Sequence, residues 1–529
     1  MAIKLAACKP ISVLIAALTL ALLSPGQNQS SPDPAEHPPQ PDRQGVTNTG
    51  TYDYGVMGPP ATAAIVDAVA RRIVIPPGAF APAWDSLQQN YKTPSWFEDA
   101  KFGIFMHWGV FSVAAHHNEW YEKHMYNADA AWHADNFGPQ EKFGYKDLIP
   151  LFTAAQWDPD AWAALFAKSG ARIVMEMGQH HDNFALWDSS VTPFNAKQMG
   201  PHRDLVGDLA TAVRKQGLRV AISNHGIEHF TFIAPTHELR QRLEAAHADL
   251  FDPAWARFYS VADRSDAAMT DFLTDWVNRN FELIDKYQPD MLWFDNGINL
   301  RVLDPLKLRV AAYYYNRARE WRKEVSLGTK FNAYAPSNDD TKQIGSIVDF
   351  EKVSARSPVA IRPGPWMVDD AIASNSWGYI EGLRIATAGT LVARLIDTVS
   401  KGGLYMLNIS PRADGVIPAD QQEVLLKIGA WLATNGEAIY NTRPWTTFME
   451  TGTPAWHFTA KGDTLYAIAS AWPGTETIIT SIKTKVAGVN LLGDSTPLDF
   501  TQDERGLRIK LPASHTGSIA WAFRLTGLH

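Results

Sequence analysis

Between about Trp96 and Trp445, short apolar runs alternate with amphipathic stretches, the pattern of strands that pair in parallel and are joined by helices. Phe102 to Trp108 (FGIFMHW) reads as a strand with a histidine near its end. Asp158-Pro159 then opens a helix as N-cap and first residue, with Trp162, Leu165 and Phe166 on one face and Gly170 closing it. Arg172 to Met177 (RIVMEM) is the next strand. Asp204 to Gln216 forms a second helix, stopped by Gly217, and feeds the strand Leu218 to Ser223. Phe272 to Tyr287 is a further helix before the strand Met291 to Phe294. The conspicuous polar residues fall where strands end, and the loops at the C-terminal face of a (β/α)8 barrel converge there.

The pattern changes after Trp445. Thr464 to Ser470, Thr477 to Ile482 and Ser518 to Phe523 are β-type runs separated by Gly, Pro and Asp, which predicts a small antiparallel β-sandwich. At the other end, Lys4 and Lys9 precede or flank the apolar stretch Ile11 to Leu23, too short for the ~20 residues of a membrane span and suited to an export signal. Residues 24–50 are rich in Pro, Ser, Gln and Gly without apolar periodicity. The expected order is a signal peptide over 1–26, a disordered Pro-rich linker over 27–50, a (β/α)8-type TIM barrel over 51–445 and the sandwich over 446–529. The mature chain is expected in the periplasm or outside the cell, with no membrane association once the signal is removed.

Composition narrows the chemistry. The one cysteine, Cys8, precedes the apolar stretch, so the exported chain lacks disulfides, thiolate metal sites and a cysteine nucleophile. A formal net charge of -8 leaves no basic footprint for nucleic acid. Nineteen tryptophans suit either a large core or the stacking walls of a sugar cleft.

Asp295 ends the apolar run of Pro289 to Gly297 (PDMLWFDNG), and Glu351 ends that of Ile347 to Glu351 (IVDFE). Two carboxylates flanking a glycosidic bond are what retaining hydrolysis requires, although a strand-end Asp is also a common turn residue. His107 closes its strand and His180-His181 follow theirs. Imidazoles there suit sugar hydroxyls better than a metal: no H-x-H or H-E-x-x-H spacing occurs, and neighbours on extended backbone point to opposite faces. No metal and no cofactor is expected.

Several segments occur in a recognisable order: Trp96 to Gly109 (WFEDAKFGIFMHWG), Glu119-Trp120-Tyr121, His180-His181-Asp182 through Phe184, Gly200 to Leu205, Leu292 to Asp295 (LWFD), Val348 to Glu351 (VDFE), Ser376 to Tyr379 (SWGY), Lys401 to Pro418 and Asn435 to Trp445. With them the chain resembles the α-L-fucosidases of glycoside hydrolase family 29, from about Pro82 to Arg524. The resemblance implies a barrel followed by a β-sandwich, and a retaining enzyme that removes terminal α-L-fucose from fucosylated oligosaccharides or glycoconjugates. It makes Asp295 the nucleophile and Glu351 the acid/base; the nearby carboxylates Asp349, Asp369 and Asp370 are the fallback for the second role. It gives His107, Glu119, Trp120, His180 and His181 to the fucose hydroxyls and Trp293 to the pocket wall. The chain departs from the family pattern at Gln179, Asn183, Lys352-Val353 and Met367. Ser223-Asn224-His225 stands where Tyr-Tyr-Ser is usual, which adds His225 as a substrate-binding candidate. Two other readings are a retaining α-L-galactosidase, since that sugar differs by one hydroxyl, and a non-catalytic fucose-binding barrel. Both carboxylates being present argues against the second.

Overall fold

The computed structural model describes residues 61–527, apart from 234, 331, 338, 353–356, 514, 516 and 518. The expected signal peptide (1–26) and linker (27–50), and Val353, lie outside the described residues. Eight strands close a parallel barrel in sequence order: β1 (Phe102–Met106), β2 (Ile173–Gln179), β3 (Arg219–Asn224), β4 (Met291–Phe294), β5 (Ser326–Lys330), β6 (Ser346–Glu351), β7 (Trp366–Ala371) and β8 (Leu404–Ile409), with β8 pairing back to β1.

The helices begin where their caps dictate. Asp158 accepts from the Ala161 N–H and Asp204 from the Gly207 N–H, each satisfying a donor of the first turn. The helix expected from Phe272 starts earlier, at Asp266, behind a Ser265 cap. Its added first turns (DAAMTD) are largely polar or small, so apolar periodicity does not reveal them.

Alternation along each strand fills the barrel. Gly103 leaves room for Met406 and Ile173, and Gly328, paired with Trp293 across β4 and β5, leaves room for that indole: a Cβ would stand 2.8 Å from Trp293 Cδ1. The register of β2 on β3 shifts between Met177 and Gln179, a bulge that redirects the strand end.

The C-terminal region is a sandwich of antiparallel strands. β9 (Arg443–Glu450), which straddles the expected boundary at residue 445, joins β10 (Trp456–Lys461), β11 (Thr464–Ala469), β13 (Gly488–Leu491) and β16 (Trp521–Thr526) in the order β13-β16-β11-β10-β9. β12 (Glu476–Ile479), β15 (Gly506–Lys510) and β14 (Phe500–Asp503) form the second sheet. Trp456, Phe458, Leu465, Ile479, Ile509 and Phe523 make the core between them. The larger sheet docks on the barrel: Ile468 and Ala522 join the barrel's own core, Trp431 Nε1 donates to the Ala520 carbonyl at 2.9 Å, and Thr459 Oγ1 donates to that of Ala438 at 2.6 Å.

The helix Ala419–Asn435 carries this interface on one side and packs on the helix Pro159–Lys168 on the other. Contact there is so close that a Cβ on Gly429 would collide with the Lys168 carbonyl oxygen, a backbone atom that cannot swing away. Gly429→Ala should therefore cost about 1–3 kcal/mol. Gly389→Ala, whose Cβ would meet nothing nearer than 3.8 Å, should leave thermal stability unchanged or raised. Parallel melting curves of the two variants check this.

Candidate active site

The C-terminal ends of the strands deliver their inward side chains to one mouth. His107 follows β1, and its Nδ1 lies 2.8 Å from Asn408 Oδ1 on β8. Asn408 Nδ2 donates to the Trp377 carbonyl, so its Oδ1 must accept, and the His107 proton sits on Nδ1. When His107 is neutral, Nε2 is then an acceptor.

The β2 bulge decides what the next strand offers. Gln179 turns outward to Arg279, whose guanidinium donates to its Oε1 at 2.8 Å, while His180 and His181 both enter the pocket with ring centroids 4.5 Å apart. Strict alternation had predicted opposite faces. The difference arises because both residues lie past the end of β2, in a turn where Asn183 takes φ 61° and is tied by Nδ2 to the carbonyls of Arg257 and Phe258. His181 Nδ1 donates to the His225 carbonyl at 3.1 Å, which leaves Nε2 facing Asp295 Oδ2 at 3.6 Å.

Asp295 is the focus. His225, which follows β3, places Nδ1 2.9 Å from Asp295 Oδ2, and an ionised carboxylate only accepts, so this nitrogen carries hydrogen. Burial alone pushes the Asp295 carboxyl up, but the His225 hydrogen bond and the nearby Lys330 charge outweigh it and hold the group far below the usual carboxylate range. The His107, His180 and His181 imidazoles are pushed down by burial first, His181 to about 3, so they are neutral near pH 7 and able to donate and accept at once.

On the opposite wall, Lys330 at the end of β5 is 3% exposed, with Nζ 2.8 Å from Asp369 Oδ2 and 3.2 Å from Glu351 Oε2. Asp349, two residues before Glu351 and on the same face of β6, accepts from Trp293 Nε1 at 2.8 Å and from the Asp369 N–H at 3.0 Å. Burial holds the Asp349 carboxyl up at about 6 and pushes that of Asp369 well above the usual carboxylate range, with Asp349 adding to the latter. Burial works against the Lys330 charge, yet Asp369, Glu351 and Asp295 more than offset it. Asp370 faces the opposite way, paired with Arg394 and Tyr405 at 2.9 and 2.7 Å, which removes it from the alternatives for the acid/base.

Two loops complete the wall. Glu119, behind β1, accepts through Oε2 from the Trp377 N–H at 3.0 Å, the Gly378 N–H at 3.3 Å and the Ser376 hydroxyl at 3.3 Å. Burial pushes its carboxyl up, against these bonds. Trp377 is thereby pinned 5.2 Å from the His107 ring. Trp120 stands edge-on to His181 at 6.0 Å, with Phe232 beside both. Asp295, Glu351, His107, Glu119, Trp120, His180, His181, His225 and Trp293 are thus brought to the C-terminal end of the barrel, and of the alternatives Asp370 is not. Lys330, Trp377 and Asn408 were not anticipated; Trp377 and Asn408 carried a signal, inside the Ser376 to Tyr379 and Lys401 to Pro418 segments, and Lys330 carried none.

A closed barrel whose mouth presents an ionised Asp, a second carboxyl across from it, neutral imidazoles and indole walls defines a glycoside hydrolase. The family model for α-L-fucosidase matches residues 68–437, and that for the α-L-fucosidase C-terminal domain matches residues 449–526. Tissue α-L-fucosidase of Bos taurus is 32% identical over 470 residues, 85% of this chain and 92% of the relative. Plasma α-L-fucosidase of Homo sapiens is 31% identical over 472 residues, 85% and 93% of the two chains. The crystal structure of Thermotoga maritima α-fucosidase in complex with fucose superposes with a TM-score of 0.69 at 30% identity, covering 84% of this chain and all of that one. The chain belongs to the α-L-fucosidases of glycoside hydrolase family 29, enzymes that release fucose by hydrolysis.

The His225–Asp295 bond gives a pH signature. His225→Phe keeps an aromatic ring against Phe105 and Trp293 but removes the donor. The Asp295 carboxyl then titrates at higher pH, so the acid limb of kcat/KM moves upward, and losing a charge-assisted bond lowers kcat/KM by about 10–100-fold. A pH–rate profile of the variant checks both, and an unmoved acid limb would contradict the role given to His225.

Proposed function

We propose that the chain is a retaining exo-α-L-fucosidase in which Asp295 is the nucleophile and Glu351 the general acid/base. The observation that carries the reading is Asp295 itself: a half-buried carboxylate kept ionised by the His225 hydrogen bond and the Lys330 charge, with a second carboxyl held by Lys330. In the first step Asp295 attacks the anomeric carbon, the glycosidic C–O bond breaks, and the Glu351 proton passes to the leaving oxygen. In the second step the Glu351 carboxylate takes a proton from water as that water displaces Asp295. The Lys330 ammonium neutralises the carboxylate between the two steps. His107 and His181, each with a proton fixed on Nδ1, turn Nε2 acceptors toward the sugar hydroxyls. Glu119 and Trp120 bind from the rim, His180 and His225 from the floor, and Trp293 forms the apolar wall for the deoxy sugar's methyl group.

Two variants test the pair. Asp295→Ala should abolish turnover while azide restores part of it. Glu351→Ala should slow substrates with poor leaving groups far more than activated aryl fucosides, since only the former need protonation. Near-wild-type rates in the first variant, or an equal loss across leaving groups in the second, would move the roles elsewhere, with Asp369→Ala the comparison for the acid/base.

We infer further that the enzyme is exported, acting in the periplasm or outside the cell on fucosylated oligosaccharides or glycoconjugates. Lys4, Lys9 and the apolar run Ile11 to Leu23 support this, and among the described residues no helix is long and apolar enough to cross a membrane. N-terminal sequencing of exported material should find a start between residues 24 and 35; intact Met1 in the membrane fraction would overturn it.

A further inference from the structure

We propose that His117, His124 and Asp129 form a binding site for a divalent transition-metal ion of the zinc type, outside the catalytic mouth, with His116 positioned as a fourth ligand. One donor atom from each of His117, His124 and Asp129 lies within 4.8 Å of the others. A tetrahedral zinc with ligands near 2.1 Å needs donors roughly 3.4 Å apart, so closure asks for shifts of about 1 Å. His116 Nε2 already stands 3.6 Å from Asp129 Oδ1.

The competing explanation is a hydrogen-bonded His–Asp cluster with no ion. It accounts for His117, whose Nδ1 bonds Asp129 Oδ2 at 2.8 Å, but not for His124. His124 is only 6% exposed, and neither of its ring nitrogens makes a hydrogen bond of acceptable geometry, with Asn127 its side-chain amide neighbour. A buried imidazole with both nitrogens unused is costly unless something arrives to use one.

The rings already lie close together. His117 and His124 stack at 3.9 Å with planes 6° apart, and His116 lies flat on Trp132 at 3.6 Å. Lone pairs in parallel planes cannot both meet one ion, so binding tilts His117 or His124 out of the stack as part of the ~1 Å closure. The His117 side chain is 29% exposed and that of Asp129 13%, which opens a path for an ion from solvent. Imidazole with carboxylate is a donor set that suits zinc.

The site brackets Glu119 and Trp120, since its ligands lie on both sides of them in one loop, and the Trp120 and His124 rings are 6.4 Å apart. Its role is to pin the loop that carries two substrate contacts, not to take part in bond cleavage. The His107, His180 and His225 donors also gather, but they belong to the catalytic mouth.

The test uses the full-length exported chain, stripped with a chelator and titrated with Zn2+ by calorimetry and with Co2+ by visible absorption. The expected result is one ion per chain, a tetrahedral Co2+ band and a raised Tm. His124→Phe, which keeps the ring buried, and the more exposed His117→Gln should each weaken binding by more than about tenfold. His180→Gln should leave it intact, and melting curves of the stripped variants verify that they are folded. Absence of one-to-one binding to the wild type, binding that survives both substitutions, or binding lost in His180→Gln would overturn the proposal.

Discussion

Closing eight parallel strands into one barrel leaves each strand a single inward face, and alternation then fixes which side chains reach the C-terminal mouth. His107, His225, Asp295, Lys330, Glu351, Asp369 and Asn408 come from seven different strands or strand ends, yet all share one small volume because each occupies the inward phase at the same height. Paired registers set that height: Glu351 lies opposite Asp369, and Trp293 opposite Gly328. The bulge in β2 is the exception that keeps the rule useful. By shifting phase after Met177 it sends Gln179 to the outer helices and brings the two histidines in.

Collecting that many carboxyl groups in a buried space creates a charge problem, and the structure handles it unequally. Asp295 is kept ionised by hydrogen bonding and nearby positive charge, whereas Asp369 and Asp349 are pushed toward their protonated forms by burial. Lys330 sits between the two regimes and makes the difference possible, since its ammonium touches Asp369 and Glu351 and acts on Asp295 through space. Neighbouring carboxyl groups with separated protonation preferences are what divides acid from nucleophile in carboxylate-based hydrolysis.

Much of this was legible in the chain before any coordinates. The barrel followed from apolar runs alternating with capped helices, and Asp295, Glu351, His107 and His180-His181 stood out because each ends or follows an apolar run. The illegible parts share a cause. Lys330 ends SLGTK, and a lysine at a strand end reads as solvated unless the carboxylates from β6 and β7 are known to face it. Asp369 and Asp370 are equivalent in sequence, and only the phase of β7 separates the inward from the outward one. Nothing local in Ser223-Asn224-His225 says that the histidine reaches Asp295, since that contact depends on where β4 ends beside β3.

The same geometry explains why the departures from the family pattern leave the sugar site recognisable. Gln179 faces Arg279 behind the barrel wall, and Asn183 supplies a positive φ that asparagine tolerates better than most residues, so both changes are absorbed in the scaffold. Met367 is fully buried on the inward face of β7, one inward step below Asp369, where it fills the barrel beneath the mouth. His225 and Lys352 are different, because they sit at the mouth: the first bonds Asp295, and the second lies 5.3 Å from the Trp377 ring. Trp377 also backs His107 and is fixed through Glu119, so a charge near it bears on the rim of the mouth more than on its floor. Of these departures only Lys352 bears on the rim; Gln179, Asn183 and Met367 are absorbed in the scaffold, and His225 alone reaches Asp295.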